Sequence, residues 1–166
     1  MTLAEGMTGM MEGVFVNVKN RSKTITAELE LPQAQANGTV IAQGGRFGGW
    51  SLYVKNGVPG YAYNFLGLQQ TSIDAKKPLS QGKATVKFDF AYDGGGPGKG
   101  GLGTLYVNGE KVAEGRIEHT QAGMFSADET ADVGIDLGTP VVEAIGAEAK
   151  SKFNGHIPML TVEVTK

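Results

Sequence analysis

The sequence predicts an all-β fold, a sandwich of two antiparallel sheets. Three observations carry that expectation: apolar residues alternate with polar ones, Asn-Gly pairs stand between the alternating runs, and helical periodicity is nearly absent. A strand that buries one face turns every second side chain inward, so a repeat of two is its signature. In the stretch TITAELEL, Ile25, Ala27, Leu29 and Leu31 fall on one side, and Thr24, Thr26, Glu28 and Glu30 on the other. ATVKFDFAY points Val86, Phe88, Phe90 and Tyr92 inward with Lys87 and Asp89 outward, and MLTVEVTK repeats the pattern through Leu160, Val162 and Val164. Further strands are expected in VFVNVK from Val14, TVIAQG from Thr39, WSLYVK from Trp50, GYAYNFL from Gly60, GTLYVNG from Gly103 and EKVAEGRI from Glu110. Strands in that number within one domain stack as two sheets.

Turn chemistry agrees. Asn-Gly tolerates the left-handed backbone of a two-residue hairpin turn, and it separates strand-like runs at Asn56-Gly57 and Asn108-Gly109. Asn37-Gly38 and Asn154-Gly155 mark other turns. The one stretch of helical composition, TPVVEAIGAEAKSKF from Thr139, is interrupted by Gly146 and predicts a short helix or an ordered loop. The glycine-rich segment between Asp93 and Gly101 contains G-x-G-x-x-G at Gly96, Gly98 and Gly101. A phosphate cradle needs a helix N-terminus behind such glycines, whereas here a strand precedes and a strand follows. The segment therefore reads as a hairpin loop, longer than the usual two to five or so residues and placed to touch a partner.

Composition narrows the function classes. With 166 residues, 40% hydrophobic and 19% charged, the chain suits one globular domain with its own core. A net charge of -2 without clustered lysines or arginines argues against nucleic acid and anionic membrane as partners. The absence of cysteine removes disulfides, thiolate metal sites and cysteine nucleophiles. No apolar run reaches membrane-spanning length, and no basic region followed by an apolar stretch opens the sequence.

Longer stretches carry a family resemblance. GTVIAQGGRFGGWSLYVKNGVPGYAYNFLGL, the segment from FAYDGGGPGKGG through SADETADVGIDLGTPV, and the closing KFNGHIPMLTVEV resemble the C-terminal β-sandwich region of bacterial arylsulfatases. MTGMMEGVFVNVKNRSKTITAELELP resembles the stretch that precedes it, so the likeness runs from about Met7 to Val164. The resemblance implies a concanavalin A-like jelly roll of the lectin and glucanase type, in a bacterial periplasmic or secreted setting. Sulfatases of that family convert the Cys or Ser of C/S-x-P-x-R to formylglycine. No Cys occurs here, and none of the prolines, at positions 32, 59, 78, 97, 140 and 158, has a Ser two places before it. The resemblance thus implies an accessory domain without sulfatase activity of its own, partnered by a catalytic sulfatase domain or another protein chain. A carbohydrate-binding, lectin-like module is the alternative.

Candidate site residues follow from both readings. Sugar-binding sandwiches offer flat aromatic rings to sugar faces and read hydroxyls with amides and charged groups. Trp50, Tyr61 and Tyr63, with Arg46, Asn64 and, in the glycine-rich loop, Asp93, are the residues of that kind. Core filling is the competing account of the rings, since alternating strand positions need bulky side chains; it is favoured for Trp50 and Phe65 and balanced for Tyr61 and Tyr63. The stretch SADETADVGID gathers Asp128, Glu129, Asp132 and Asp136, oxygen ligands of the kind calcium takes, although the spacing fits no EF-hand loop. The sandwich class raises the calcium expectation; a solvated acidic loop, or carboxylates that accept from backbone amides, is the competing account. For an interface with a neighbouring domain, Arg46 and Phe47, the glycine-rich loop, and Met124 with Phe125 are the expected contacts. No glycosidase pair stands out: Glu28 and Glu30 lack a third acid, and His119 and His156 have no triad partners.

Overall fold

The structure, a computed structural model, describes residues 1–165. Its strands are β1 (Thr2–Leu3), β2 (Lys23–Leu31), β3 (Gly38–Gly45), β4 (Gly48–Lys55), β5 (Val58–Phe65), β6 (Gln69–Asp74), β7 (Gly82–Tyr92), β8 (Gly101–Val107), β9 (Glu110–Ile117), β10 (Ala131–Val133) and β11 (His156–Val164). They form a six-stranded sheet in the order β1-β11-β2-β7-β8-β9 and a five-stranded sheet in the order β10-β3-β4-β5-β6. Neighbouring strands are antiparallel throughout both sheets. The predicted two-sheet sandwich is therefore what the chain adopts.

Alternation sets the register. In β2, Ile25 lies opposite Phe88 of β7 on one side and Val162 of β11 on the other, so the inward residues of three strands form one apolar row. The five-stranded sheet answers with Trp50 and Tyr61, and the Tyr61 ring stacks on Phe88 at 3.6 Å between centroids. Trp50 lies 6.2 Å from Tyr61 on one side and 6.2 Å from Phe15 on the other. Truncating a buried ring of this kind typically costs about 3–5 kcal/mol.

The five-stranded sheet is buried on both faces, which is why β3 and β4 read as nearly continuous apolar and glycine runs. Its outer face carries Ala42, Tyr53 and Ala62, and a strap formed by residues 139–147 covers them with Val141, Val142 and Ile145. The small Ala42 and Ala62 let the strap lie close.

Hairpins β4–β5 and β8–β9 turn at Asn56-Gly57 (φ 51° and 81°) and Asn108-Gly109 (φ 50° and 82°), the left-handed geometry those pairs predict. The glycine-rich segment joins β7 to β8 as a hairpin loop, with Tyr92 opposite Gly101. The Thr139 stretch is an ordered loop with one turn of 3-10 helix at Glu148–Ser151. Two expectations are corrected. VFVNVK is not a strand: Val14 and Phe15 both donate to the Met11 carbonyl in a turn, and Phe15 and Val18, three residues apart, plug the core while Val14 is exposed. Strands β1, β6 and β10 were not expected from the sequence; β1 and β10 are two and three residues long, and β6 turns only Ile73 fully inward.

Candidate functional site

A trough runs along the outer face of the five-stranded sheet, between the strap and the edge strand β6. The hairpin register pairs Gln70 with Asn64, Ser72 with Ala62 and Asp74 with Gly60. Because Ala62 faces the strap, Gln70, Ser72 and Asp74 share that face, and all three are exposed. Opposite them runs the strap, whose Pro140, Val141, Val142 and Ile145 are buried and whose Glu143 and Ala144 are exposed.

The trough has two compartments that share Gln70. The lower, of about 320 Å³, is lined by Tyr53, Lys55, Ser72 and Asp74. The Tyr53 hydroxyl donates to Asp74 Oδ1 at 2.5 Å. Burial first, and then that carboxylate, push the Tyr53 pKa upward, so the phenol stays protonated and remains a donor. The upper compartment, of about 240 Å³, is lined by Arg46, Asn64, Gln69 and Glu143. Its walls are tied together by Arg46 Nε donating to Glu143 at 2.8 Å and by the Arg46 backbone N–H donating to Thr139 Oγ1 at 2.9 Å. Asn64 Nδ2 donates to the Arg46 carbonyl at 2.8 Å, while its Oδ1 accepts from Gly67 N–H at 2.9 Å. Among the described residues, the side-chain amide of Gln70 makes no hydrogen bond within the chain and is free to meet a ligand, whereas Gln69, one residue away on β6, turns to the opposite face.

Of the residues expected from the sequence, Arg46 and Asn64 belong to this trough. The aromatic platform does not form: Trp50, Tyr61 and Tyr63 are 0%, 1% and 4% exposed and lie in the core, so no sugar face can rest on them. Core filling is the correct account of all three. Their faces turn instead toward Lys23, a buried lysine at the start of β2, whose Nζ sits 4.9 Å from the Trp50 ring, 5.7 Å from Tyr61 and Phe90, and 6.0 Å from Tyr63. Burial, with a smaller contribution from Lys19, lowers the Lys23 pKa to about 7. Asp93 also falls outside the trough. It sits after β7 of the other sheet, ion-paired with Arg116, whose hydrogen bonds hold the carboxyl below its ordinary value.

The acidic stretch does not fit calcium, which takes about six to eight oxygens. Asp132 is fully buried and accepts from Gly9 N–H at 2.8 Å and Leu137 N–H at 3.2 Å, while Glu129 accepts from Thr139 N–H and Oγ1 at 3.0 and 2.6 Å. Asp128 is exposed, and Asp136 Oδ2 accepts from Val141 N–H at 2.9 Å. Among the described residues, no three carboxylate or imidazole groups converge on a cation position. Glu129, Asp132 and Asp136 fasten loops, with Asp136 anchoring the strap, and Asp128 faces solvent.

Sequence reasoning missed Gln70, Ser72, Asp74 and Tyr53. The available signal was QQTSID, where polar residues at every second position flank Ile73 just after the turn at Gly67.

No family model matches the chain, and no curated protein sequence matches it. Solved structures do. The CBM40 of the Ruminococcus gnavus IT-sialidase superposes with a TM-score of 0.57 at 19% identity, over 100% of this chain and 91% of that one. The heptameric SAP-like pentraxin of Limulus polyphemus gives a TM-score of 0.53 at 18% identity, covering 88% of this chain and 66% of the pentraxin. Domains LG4-5 of the mouse laminin α1 chain give 0.53 at 14% identity, over 99% of this chain and 38% of theirs. At these identities the likeness establishes the fold, a concanavalin A-like sandwich of the lectin type. The comparisons show no link to arylsulfatases.

Proposed function

We propose that this chain is a carbohydrate-binding module and that the trough between the strap and β6 is its glycan site. The observation that carries the reading is the row of exposed polar side chains along β6, the free amide of Gln70 beside Ser72 and Asp74, facing a groove whose other side is the strap. A sugar presents hydroxyls around its ring to polar groups of this kind. Support also comes from the fold neighbours, among them the Ruminococcus gnavus CBM40 solved bound to α2,3 and α2,6 sialyllactose. A glycan array probed with the whole chain and with Ser72→Trp, which fills the trough from an exposed position, tests the reading. Binding by the parent that is lost in the variant is expected. A silent array, or binding that Ser72→Trp leaves intact, would sink it.

A second reading, an accessory domain that packs against an arylsulfatase catalytic domain, has its own support. Phe47 and Leu68 are 73% and 81% exposed, and Phe47 lies against the turn at Gly67, so two adjoining turns present apolar side chains at one end of the sandwich. Co-purification with a sulfatase catalytic domain that is abolished by Phe47→Ser would favour this role.

A further inference from the structure

The chain carries four Asn-Gly pairs, at Asn37, Asn56, Asn108 and Asn154. An asparagine followed by glycine is open to attack on its own Cγ by the next backbone nitrogen, because no Cβ screens the approach. In a folded chain the reaction needs a glycine N–H that is not committed elsewhere, freedom for the glycine peptide to rotate toward Cγ, and water. One pair of the four meets all three needs.

The other three are held shut. Gly57 is buried, and its N–H donates to the Ala36 carbonyl at 2.8 Å. Gly38 is buried so tightly that a Cβ there would stand 2.5 Å from Phe153 Cα. The Asn37 side chain is itself occupied, donating to the Gln35 carbonyl at 3.0 Å and accepting from Asn56 N–H at 2.7 Å. Asn154 and Asn108 make the same local bonds as each other. Asn154 N–H donates to the Asn37 carbonyl, and Asn37 N–H returns to Asn154 Oδ1 at 2.9 Å. Asn108 N–H donates to the Thr85 carbonyl, and Thr85 N–H returns to Asn108 Oδ1 at 2.8 Å. Their glycines differ. Gly155 is buried, and a Cβ on it would lie 2.8 Å from the Glu30 carbonyl oxygen. Gly109 is exposed, as are Asn108 and Glu110 on either side, and nothing lies within 4 Å of where its Cβ would be. Among the described residues, the Gly109 N–H makes no hydrogen bond. Rotation of this peptide therefore meets no packed neighbour and breaks no bond of its own.

We infer that Asn108 is a site of spontaneous deamidation in the folded chain, and that folding protects Asn37, Asn56 and Asn154. The Gly109 nitrogen bonds to Asn108 Cγ, the Cγ–Nδ2 bond breaks, and ammonia leaves with the proton that the Gly109 nitrogen gives up. Water then opens the succinimide at one or other carbonyl, leaving aspartate, or isoaspartate with an extra methylene in the main chain of the β8–β9 turn. The whole chain, incubated at pH 8 and 37 °C both folded and in urea, is digested with trypsin, and its peptides are followed by mass and by isoaspartate content. The peptide from Gly100 to Lys111 holds no other side-chain amide, so its conversion reports Asn108 alone. In urea the four pairs are expected to convert at similar rates. In the folded chain, Asn108 is expected to stay within about fivefold of its rate in urea and to convert at least tenfold faster than each of the other three. An Asn108 slowed as much as the others, or a faster conversion at any of them, would overturn the inference.

Discussion

Asp136 shows how one residue can hold a wall of the site at a cost to the fold. Its Oδ2 accepts from Val141 N–H at 2.9 Å, its backbone carbonyl accepts from Glu148 N–H at 2.7 Å, and its Oδ1 is buried without a partner. Burial raises its pKa to about 7, and the nearby charges of Asp132, Glu129 and Glu148 add to the shift against the opposing Val141 hydrogen bond. A carboxyl whose folded pKa lies above its unfolded value near 3.8 holds its proton more tightly in the folded state, so it lowers stability as pH rises from about 4 to about 7 and no further beyond. Asp136→Asn keeps an acceptor for Val141 and removes the charge. It is expected to stabilise the chain by roughly 1–4 kcal/mol at pH 8 and by little at pH 4. Urea denaturation at the two pH values measures this, and an equal effect at both would refute the ionisation argument.

At the scale of elements, the strap decides where the site lies. It covers Ala42, Tyr53 and Ala62 and stops short of β6, so the uncovered margin becomes the trough. Its hold comes from apolar burial more than from the Arg46–Glu143 pair, whose side chains are 51% and 67% exposed and which is worth at most about 1 kcal/mol. Ile145→Ala is expected to cost about 2–5 kcal/mol. In hydrogen exchange, the amides of Ile145 and Gly146, both bonded to the Val142 carbonyl, should open sooner than those of β2 and β7. Uniform exchange across all three segments would mean that the strap has no independent stability. The sheet strands were legible because β2, β7 and β11 each bury one face and their alternation survives in the sequence. The strap was not, because nothing local to residues 139–147 tells that a sheet face from residues 42–62 awaits it. Core filling, favoured for Trp50, is what its burial shows; for Tyr61 and Tyr63 the two accounts stood balanced, because alternation shows that the rings share a face and says nothing of whether another sheet lies against it. Arg46 and Asn64 were found because polar groups beside glycine turns have fewer alternatives. VFVNVK deceived by composition, its β-branched residues serving a turn that sends Phe15 and Val18 inward.

Over the whole molecule, two buried ionisable groups pull stability in opposite directions with pH. Lys23, lowered from 10.5 to about 7, destabilises the folded state fully below about pH 7 and less as pH rises toward 10.5, the reverse of Asp136. Both penalties are near their full size around neutrality, so folding stability is expected to pass through a shallow minimum near pH 7. Lys23→Met should raise the acid side of that curve and Asp136→Asn the alkaline side. Denaturation midpoints from pH 5 to pH 9 check the curve, and a maximum at pH 7 in the parent would contradict it. The sandwich also brings its beginning beside its end: Thr2 pairs with Thr161, and the Met1 amino group donates to the Val162 carbonyl at 2.9 Å. Toward the same end of the sandwich, where Tyr92 N–H donates to Ser22 Oγ and Thr165 N–H to the Ser22 carbonyl, Gly94, Gly95 and Gly96 have left-handed φ values and nothing within 4 Å of where a side chain would start. A short tether across the first seam and a cut in the second would reorder the chain while leaving the strand pairings of both sheets in place, so the order of synthesis and the order of assembly are separable in this fold.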